Sequence, residues 1–167
     1  ALPLGNHIAG SQSASVDRTA AIERYGKLSD EKFPVPAINV SRIDDRYLRQ
    51  FVDFETADHP GTIVIDTDNR FLYLVQEHGK AIRYGIGVGV SGLEFTGRAA
   101  VGFKRMWPRW TPTANMIRRN PRLYERWRGG MEAGPNNPLG ARALYLFKDG
   151  KDTLYRIHGT AEPHTIG

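Results

Sequence analysis

The sequence predicts a mostly β domain that carries short helices at its start and one long insertion before its last hairpin. Runs of β-branched and aromatic residues, separated by turn residues, begin at Thr62 and resume at Ala143. Between these runs, residues 104–140 contain several dipeptides with proline or glycine, such as Asn120-Pro121 and Gly129-Gly130. Such dipeptides interrupt regular strands and helices. With 167 residues, 40% of them hydrophobic, the chain has the size and composition of one folded domain.

The first sixty residues predict an arm followed by short helices. Residues 1–15 are small and polar without a clear period, which indicates a loosely held arm. Apolar residues recur at helical spacing over residues 17–28, so we expect an amphipathic helix there. A second helix or helical turn is expected over residues 43–51, because Ser41-x-x-Asp44 resembles a capping box.

The remaining residues predict strands joined by short turns. The expected strands cover residues 62–65, 71–75, 81–90, 99–103, 143–147 and 153–158. Asp149-Gly150 is a strong hairpin signal between the last two strands, and His78-Gly79 is a turn before the third. We divide the chain accordingly into an arm and helical segment, residues 1–60, and a β domain, residues 61–167.

The excess positive charge lies in the long insertion. The net charge is +5, and between residues 104 and 128 eight Lys and Arg residues are opposed by Glu125 alone. A nucleic-acid surface, a cleft for another anionic ligand and a solvated lid with packed tryptophans are all compatible with this pattern. We favour packing for the tryptophans, and we expect residues 104–135, hereafter the lid, to be a mobile flap over a cleft whose floor includes His158.

Several classes of function are excluded or disfavoured. The 167 residues contain no cysteine, which excludes disulfides, thiolate metal sites and a cysteine nucleophile among them. The five histidines lack a metal-ligand spacing, so no metal is expected. Residues 87–92 match G-x-G-x-x-G, but no helix or later acidic residue follows as a dinucleotide site requires, so no cofactor is expected. No run approaches the roughly 18 apolar residues of a membrane helix.

His158 is a candidate general base. It ends a predicted strand and is followed by Gly159-Thr160, where the chain leaves the sheet. A histidine at such a point can reach a cleft while a neighbouring backbone carbonyl fixes its tautomer. A structural histidine is the simpler interpretation of this residue taken alone.

Three motifs in order resemble one known family. They are the glycine-spaced strand over residues 84–89, the stretch over residues 137–144, and His158-Gly159-Thr160. Together they resemble the YkuD-type L,D-transpeptidase catalytic domain of Gram-negative bacteria, over about residues 61–167. The resemblance implies a mixed β-sandwich-like domain of the periplasm that acts on peptidoglycan stem peptides and transfers them to other stems or to an envelope protein.

The resemblance also implies a mechanism and a set of site residues. A cysteine attacks the L,D peptide bond of a donor tetrapeptide, expels the terminal D-alanine and passes the acyl group to an amine. His158 would match the histidine that activates the thiol, with the Gly159 carbonyl as its orienter. The resemblance assigns substrate binding to Thr160, Trp107, Trp110 and Asn137. The family's cysteine lies in a Ser-x-Gly-Cys-x-Arg stretch after His-Gly-Thr, and this sequence has no such stretch.

These departures lead to three expectations. The domain is expected to be incomplete at its C-terminal end, and the 167-residue chain is expected to be inactive. The last hairpin is expected to leave an exposed edge or apolar face. A non-catalytic module of the same fold that binds the cell wall or a protein stays open as an alternative, and so does a basic nucleic-acid-binding β protein, although we expect no nucleic-acid partner.

Overall fold

The computed structural model describes residues 16–167, which form two compact units. The first unit contains the first helix, Asn39–Gly87 and Ile166–Gly167; the second contains Gly26–Ile38 and Val88–Thr165. Each unit has its own antiparallel sheet, and the helices are few and short. The expected mostly β fold class is therefore confirmed, whereas the predicted arm over residues 1–15 lies outside the described residues.

The first unit is a four-stranded sheet with short helical segments. Its elements are α1 (Arg18–Arg24), two 3-10 turns (Val40–Arg42 and Asp45–Tyr47), β1 (Gln50–Asp53), β2 (Ile63–Asp66), β3 (Phe71–Val75) and β4 (Lys80–Gly85). The strand order is β1-β4-β3-β2, with every neighbouring pair antiparallel. The buried apolar side chains of this unit are Ala21, Val40, Ile43, Leu48, Val52, Leu72, Val75 and Ala81.

Helix α1 is shorter than the sequence pattern predicts. Its N-cap is Asp17, whose side chain accepts hydrogen bonds from the backbone N–H groups of Thr19 and Ala20. The helix ends before residue 28, because Leu28 forms an antiparallel bridge with Val35 instead. That pairing replaces the last predicted helical turn with extended chain.

The predicted helix over residues 43–51 is wrong in part. Asn39 and Asp44 cap two separate 3-10 turns, so Ser41 lies inside the first turn rather than at its start. Phe51 lies in β1, opposite Ile82 of β4. Pairing with the free edge of β4 satisfies the backbone of this segment, and this tertiary contact overrides the local helical spacing.

Strand β4 ends at Gly85 rather than at residue 90. A Cβ atom at Gly85 would lie 2.4 Å from Cβ of Tyr47 and 2.6 Å from its carbonyl oxygen. The chain can therefore pass Tyr47 only where it carries no side chain. The turn before β4 matches the prediction, since His78 and Gly79 both have positive φ, at 59° and 65°.

The second unit is a three-stranded sheet whose order is β5-β6-β7. Its elements are β5 (Ala100–Met106), α2 (Ala114–Arg119), α3 (Pro121–Tyr124), β6 (Arg142–Lys148), β7 (Lys151–His158) and 3-10 turns at Val90–Glu94, Glu125–Trp127 and Pro163–Thr165. Asp149 and Gly150 form the predicted hairpin turn, with φ of 51° and 74°. β5 continues three residues beyond its predicted end at Phe103, because residues up to Met106 pair with β6.

Strands β5 and β7 are the two edges of this sheet. Every residue of β5 is exposed, and Leu154 of β7 is 63% exposed. β7, the second strand of the last hairpin, therefore lies at an edge of its sheet, and the expectation that further chain packs there stays a prediction. Within residues 16–167, the helices are too short and too polar to cross a membrane.

We predict that Gly85→Ala lowers the stability of the protein by about 2 kcal/mol, because the new methyl group must displace the Tyr47 backbone. Chemical denaturation measures the change. Gly89→Ala is the matched control, since no atom lies within 4 Å of a Cβ placed there, and its effect should stay within about 0.5 kcal/mol. Equal effects of the two substitutions would contradict the close approach.

Candidate active site

His158 lies at the end of β7, at the edge of the second sheet. The register places Arg105 of β5 opposite Ala143 of β6, and Ala143 opposite His158. The His158 ring is exposed, and its Nδ1 atom lies 2.6 Å from the carbonyl oxygen of Gly159. Because a carbonyl oxygen can only accept, this contact holds the proton on Nδ1 and leaves the lone pair on Nε2. A neutral imidazole held this way can act as a general base.

The turn that holds Gly159 depends on Gly140. The Gly159 N–H donates to the carbonyl of Arg142 at 2.9 Å, so β6 fixes the peptide that follows His158. Gly140 has a φ of 63°, and a Cβ atom there would lie 3.0 Å from the carbonyl carbon of Gly159. Both the backbone conformation and the close approach therefore require glycine at position 140.

Asn137 is the buried polar centre of the insertion. It is 1% exposed, and its side-chain N–H groups lie within hydrogen-bonding distance of three backbone carbonyls. These carbonyls belong to Pro108, Met131 and Glu132, at 3.1, 3.3 and 3.1 Å. Its side-chain oxygen accepts from the Leu139 N–H at 2.9 Å. These contacts give Asn137 a structural role, while its assignment to substrate binding stays a prediction.

Trp107 is buried at the start of the insertion. It is 8% exposed, its ring packs edge-on against Phe33 with centroids 5.0 Å apart, and its indole N–H donates to Glu31. Its φ is 46°, a strained value for a bulky residue, and its backbone N–H donates to the Ala141 carbonyl. The packing interpretation therefore describes Trp107, and its proposed contact with substrate stays a prediction.

Sequence reasoning missed Glu31. Its carboxylate accepts from Trp107 Nε1 at 2.9 Å and from both terminal nitrogens of Arg142, at 3.1 and 2.5 Å. The hydrogen bond from Arg142, followed by that from Trp107, holds the pKa of Glu31 below its ordinary value. No spacing in the sequence links these residues, because Glu31 is 76 residues from Trp107 and 111 from Arg142. The one signal that could have pointed to Glu31 is that a buried indole N–H needs a hydrogen-bond acceptor.

The first residues of the lid and the residues just before β6 lie at the same end of the second sheet as His158. The Trp107 N–H bonds to Ala141, which is adjacent to the Gly140 turn. Within the lid, Thr113 is the N-cap of α2, and Trp110 is half-buried and pairs with Met131. The mobility of the lid and the cleft beneath it stay predictions.

Part of the positive charge of the lid is neutralised locally. Arg109 pairs with Glu132 at 2.6 Å, and Arg128 pairs with Glu125 at 2.7 Å.

Outside the lid, Thr160 is exposed, and its hydroxyl accepts from the Glu162 N–H at 2.9 Å. Its role toward substrate stays a prediction. Across residues 16–167, groups of three or more His, Asp or Glu side chains suited to a metal ion do not occur.

Comparison with known families finds a match over most of the β region. The family model for the YkuD L,D-transpeptidase catalytic domain matches residues 60–167. It covers Gly140, Arg142, His158 and Gly159, and it begins after Glu31.

Individual proteins show the same similarity. The chain is 32% identical over 111 residues to Probable L,D-transpeptidase YbiS of Escherichia coli K12, covering 65% of this chain and 35% of that protein. It is 32% identical over 109 residues to Probable L,D-transpeptidase ErfK/SrfK of the same strain, covering 64% and 34%. The chain thus spans about a third of the length of these curated relatives.

A crystal structure from Brucella melitensis, described as a probable carnitine operon oxidoreductase, is also similar. It is 56% identical to this chain, with a TM-score of 0.64, and the alignment covers 77% of this chain and 80% of that one.

We predict that Asn137→Ala destabilises the second unit by about 3 kcal/mol, because it leaves the buried Leu139 N–H and the buried Pro108 carbonyl without this partner and also removes the side-chain contacts to the part-buried Met131 and Glu132 carbonyls. Denaturant unfolding measures the loss, and limited proteolysis should show faster cleavage in residues 107–140. The neighbouring Asn136 is exposed, so Asn136→Ala serves as the control. A small effect of Asn137→Ala, similar to that of the control, would contradict this role.

We predict that acid removes the stabilisation that Glu31 provides. Its pKa is lower in the folded state, so the contribution is present above its ordinary pKa of 4.5 and is lost as the pH falls below that value. The difference in unfolding free energy between the native protein and Glu31→Gln should therefore shrink as the pH is lowered from about 6 to about 3. A difference that stays constant with pH would show that the carboxylate charge is not used.

Proposed function

The chain belongs to the YkuD family of L,D-transpeptidase catalytic domains, and from this membership we propose that it is the part of a peptidoglycan L,D-transpeptidase that supplies the general base, His158. The observation that best supports this proposal is the 2.6 Å contact between His158 Nδ1 and the Gly159 carbonyl. It leaves Nε2 unprotonated on an exposed ring, as proton abstraction from a thiol requires. We further propose that the protein acts in the periplasm, where its substrate lies.

The reaction divides into two half-reactions, acylation and transfer, and each uses two proton transfers through the same nitrogen. His158 Nε2 takes the proton of a cysteine thiol, and the thiolate attacks the carbonyl carbon of the L,D peptide bond in the donor stem. The C–N bond breaks, the thioester forms, and the imidazolium returns the proton to the departing D-alanine amine. An acceptor amine then attacks the thioester, His158 takes its proton, and the thiol leaves after receiving that proton.

The proposal requires two groups that these 167 residues do not contain. One is the cysteine thiol, since the sequence has no cysteine. The other is the pair of backbone amides that would stabilise the oxyanion beside that thiol. We therefore expect the 167-residue chain to catalyse no acyl transfer and to form no covalent adduct with a carbapenem.

The lid would attract and cover the donor stem. Stem peptides carry carboxylates, and Lys104, Arg105 and Arg122 add positive charge to this exposed segment. Trp110 and Thr160 remain candidates for direct contact, because both retain exposed surface. The buried Trp107 and Asn137 would act by shaping the lid. The acceptor would be an amine of a second stem or of an envelope protein.

The Brucella structure is described with a different activity, and the geometry favours acyl transfer over it for this chain. Dinucleotide sites of the Rossmann type place a glycine loop between a parallel strand and the N-terminus of a helix. Here the glycine-rich residues 87–92 follow β4 of an antiparallel sheet and enter the 3-10 turn Val90–Glu94. The His158 arrangement, in contrast, suits proton transfer to and from a thiol.

We predict that His158→Ala, in a version of the protein extended through a downstream cysteine, lowers the transfer rate by between about 100-fold and 10,000-fold, the contribution of a general base. Transfer from a tetrapeptide donor and the rate of carbapenem acylation are the measurements. His59→Ala is the control, because that histidine is exposed in the other unit. Full transfer by His158→Ala, or by the 167-residue chain itself, would contradict the mechanism.

We also predict that the 167-residue chain is retained by purified peptidoglycan and binds DNA only weakly. Retention on DNA that falls steeply with salt, together with no retention on peptidoglycan, would favour the nucleic-acid-binding alternative. Retention on peptidoglycan without transfer by the extended protein would instead favour a non-catalytic wall-binding module.

A further inference from the structure

We infer that Glu31 is a positioning residue for His158, acting through Arg142 and Gly159. The inference rests on the proposed role of His158 as the base. Glu31 lies in the segment Gly26–Ile38, which belongs to the same compact unit as β5, β6 and β7. The family match begins at residue 60, so nothing in that match assigns a role to this segment.

The Glu31 carboxylate is held on both oxygens. One oxygen accepts from Trp107 Nε1 at 2.9 Å and from Arg142 Nη1 at 3.1 Å, while the other accepts from Arg142 Nη2 at 2.5 Å. The Glu31 side chain is 17% exposed. Bidentate contacts of this kind fix the plane of a guanidinium as well as its position.

The guanidinium of Arg142 connects this carboxylate to the first peptides of β6. Its Nη1 also donates to the Ala141 carbonyl at 2.8 Å, which accepts from the Trp107 backbone N–H as well. The carbonyl of Arg142 accepts from the Gly159 N–H, and the Gly159 carbonyl contacts His158 Nδ1. The residues of this series are joined to one another by hydrogen bonds, and within Arg142 and Gly159 the covalent chain completes the path, so a shift of Arg142 would be transmitted to the imidazole.

Glu31 also stabilises the strained start of the lid. Trp107 has a φ of 46° and is 8% exposed, so its indole N–H would be buried without an acceptor if the carboxylate were removed. The edge-on Phe33 ring comes from the same segment as Glu31. Two residues of this segment, Glu31 and Phe33, thus hold the Trp107 side chain, three residues after the start of the lid.

Three other carboxylate–arginine pairs of this unit lie wholly within the family match, and Arg109–Glu132, like Glu125–Arg128, lies within the lid. Glu125 pairs with Arg128 three residues away within one short helical segment, and Asp152 pairs with Arg156 of its own strand, four residues away. The Glu31–Arg142 pair joins a segment outside the family match to the strand that holds Gly159.

Hydrogen exchange of the 167-residue chain tests the link independently of any activity. In Glu31→Gln, exchange of the Gly159 amide should rise by about fivefold or more while the amides of β1 to β4 stay unchanged. Arg142→Lys keeps the charge but loses the planar guanidinium, so it should raise the exchange rate of the Gly159 amide by a smaller factor. This variant serves as the test if Glu31→Gln does not fold.

Asp45→Asn is the matched control, because Asp45 forms a long-range contact with Arg18 through two nitrogens of the guanidinium, in the other unit. It should leave Gly159 unaffected. An unchanged Gly159 amide in Glu31→Gln, or a uniform rise over both sheets, would overturn the inference.

The extended protein separates positioning from a merely structural role. There Glu31→Gln should lower kcat by between about 10-fold and 100-fold with KM unchanged, because the base is misaligned while substrate binding is retained. Faster Gly159 exchange with unchanged kcat would overturn the positioning role. If the unsubstituted extended protein transfers nothing while Gly159 exchange still rises in Glu31→Gln, the proposed function fails and the link from Glu31 to Gly159 stands.

Discussion

The backbone of Gly159 is the constraint on which the rest of the site depends. The Gly159 carbonyl must face Nδ1 of His158 and the Gly159 N–H must reach the Arg142 carbonyl of β6, so these two contacts together fix how the chain leaves the sheet. Gly140 permits this, because its backbone lies too close to Gly159 to carry a side chain. The chemistry of a single imidazole is thus set by backbone packing, which is more rigid than a contact between two surface side chains.

The long insertion is ordered around the same point by a small number of buried polar contacts. If a loop of this length were buried without hydrogen-bond partners, many of its backbone N–H and C=O groups would be left unsatisfied. Asn137 meets three carbonyls from Pro108 to Glu132 and one N–H from its own turn, so both ends of the loop are tied to one side chain. The strongly basic lid can then remain exposed, because the hydrogen bonds of Asn137 hold it in place without an apolar core of its own.

The sequence reasoning succeeded where the deciding interactions are local. The hairpins at His78-Gly79 and Asp149-Gly150 follow from residues that tolerate positive φ. It failed where distant residues decide: β1 pairs with β4 against its own helical spacing, and β4 can pass Tyr47 closely only because residue 85 is glycine. Within the site, the contact between His158 and its neighbour Gly159 could be anticipated, whereas Glu31 acts across a separation that no local pattern encodes.

The protonation of His158 tests the central claim most directly. Long-range ¹H–¹⁵N NMR of the uniformly labelled chain at neutral pH reports which ring nitrogen carries the proton in each histidine. We predict that the neutral form of the His158 ring carries its proton on Nδ1 and that the exposed His59 shows no such fixed preference. A His158 ring protonated mainly on Nε2 would contradict the account, because the nitrogen proposed to act as the base would then have no lone pair available.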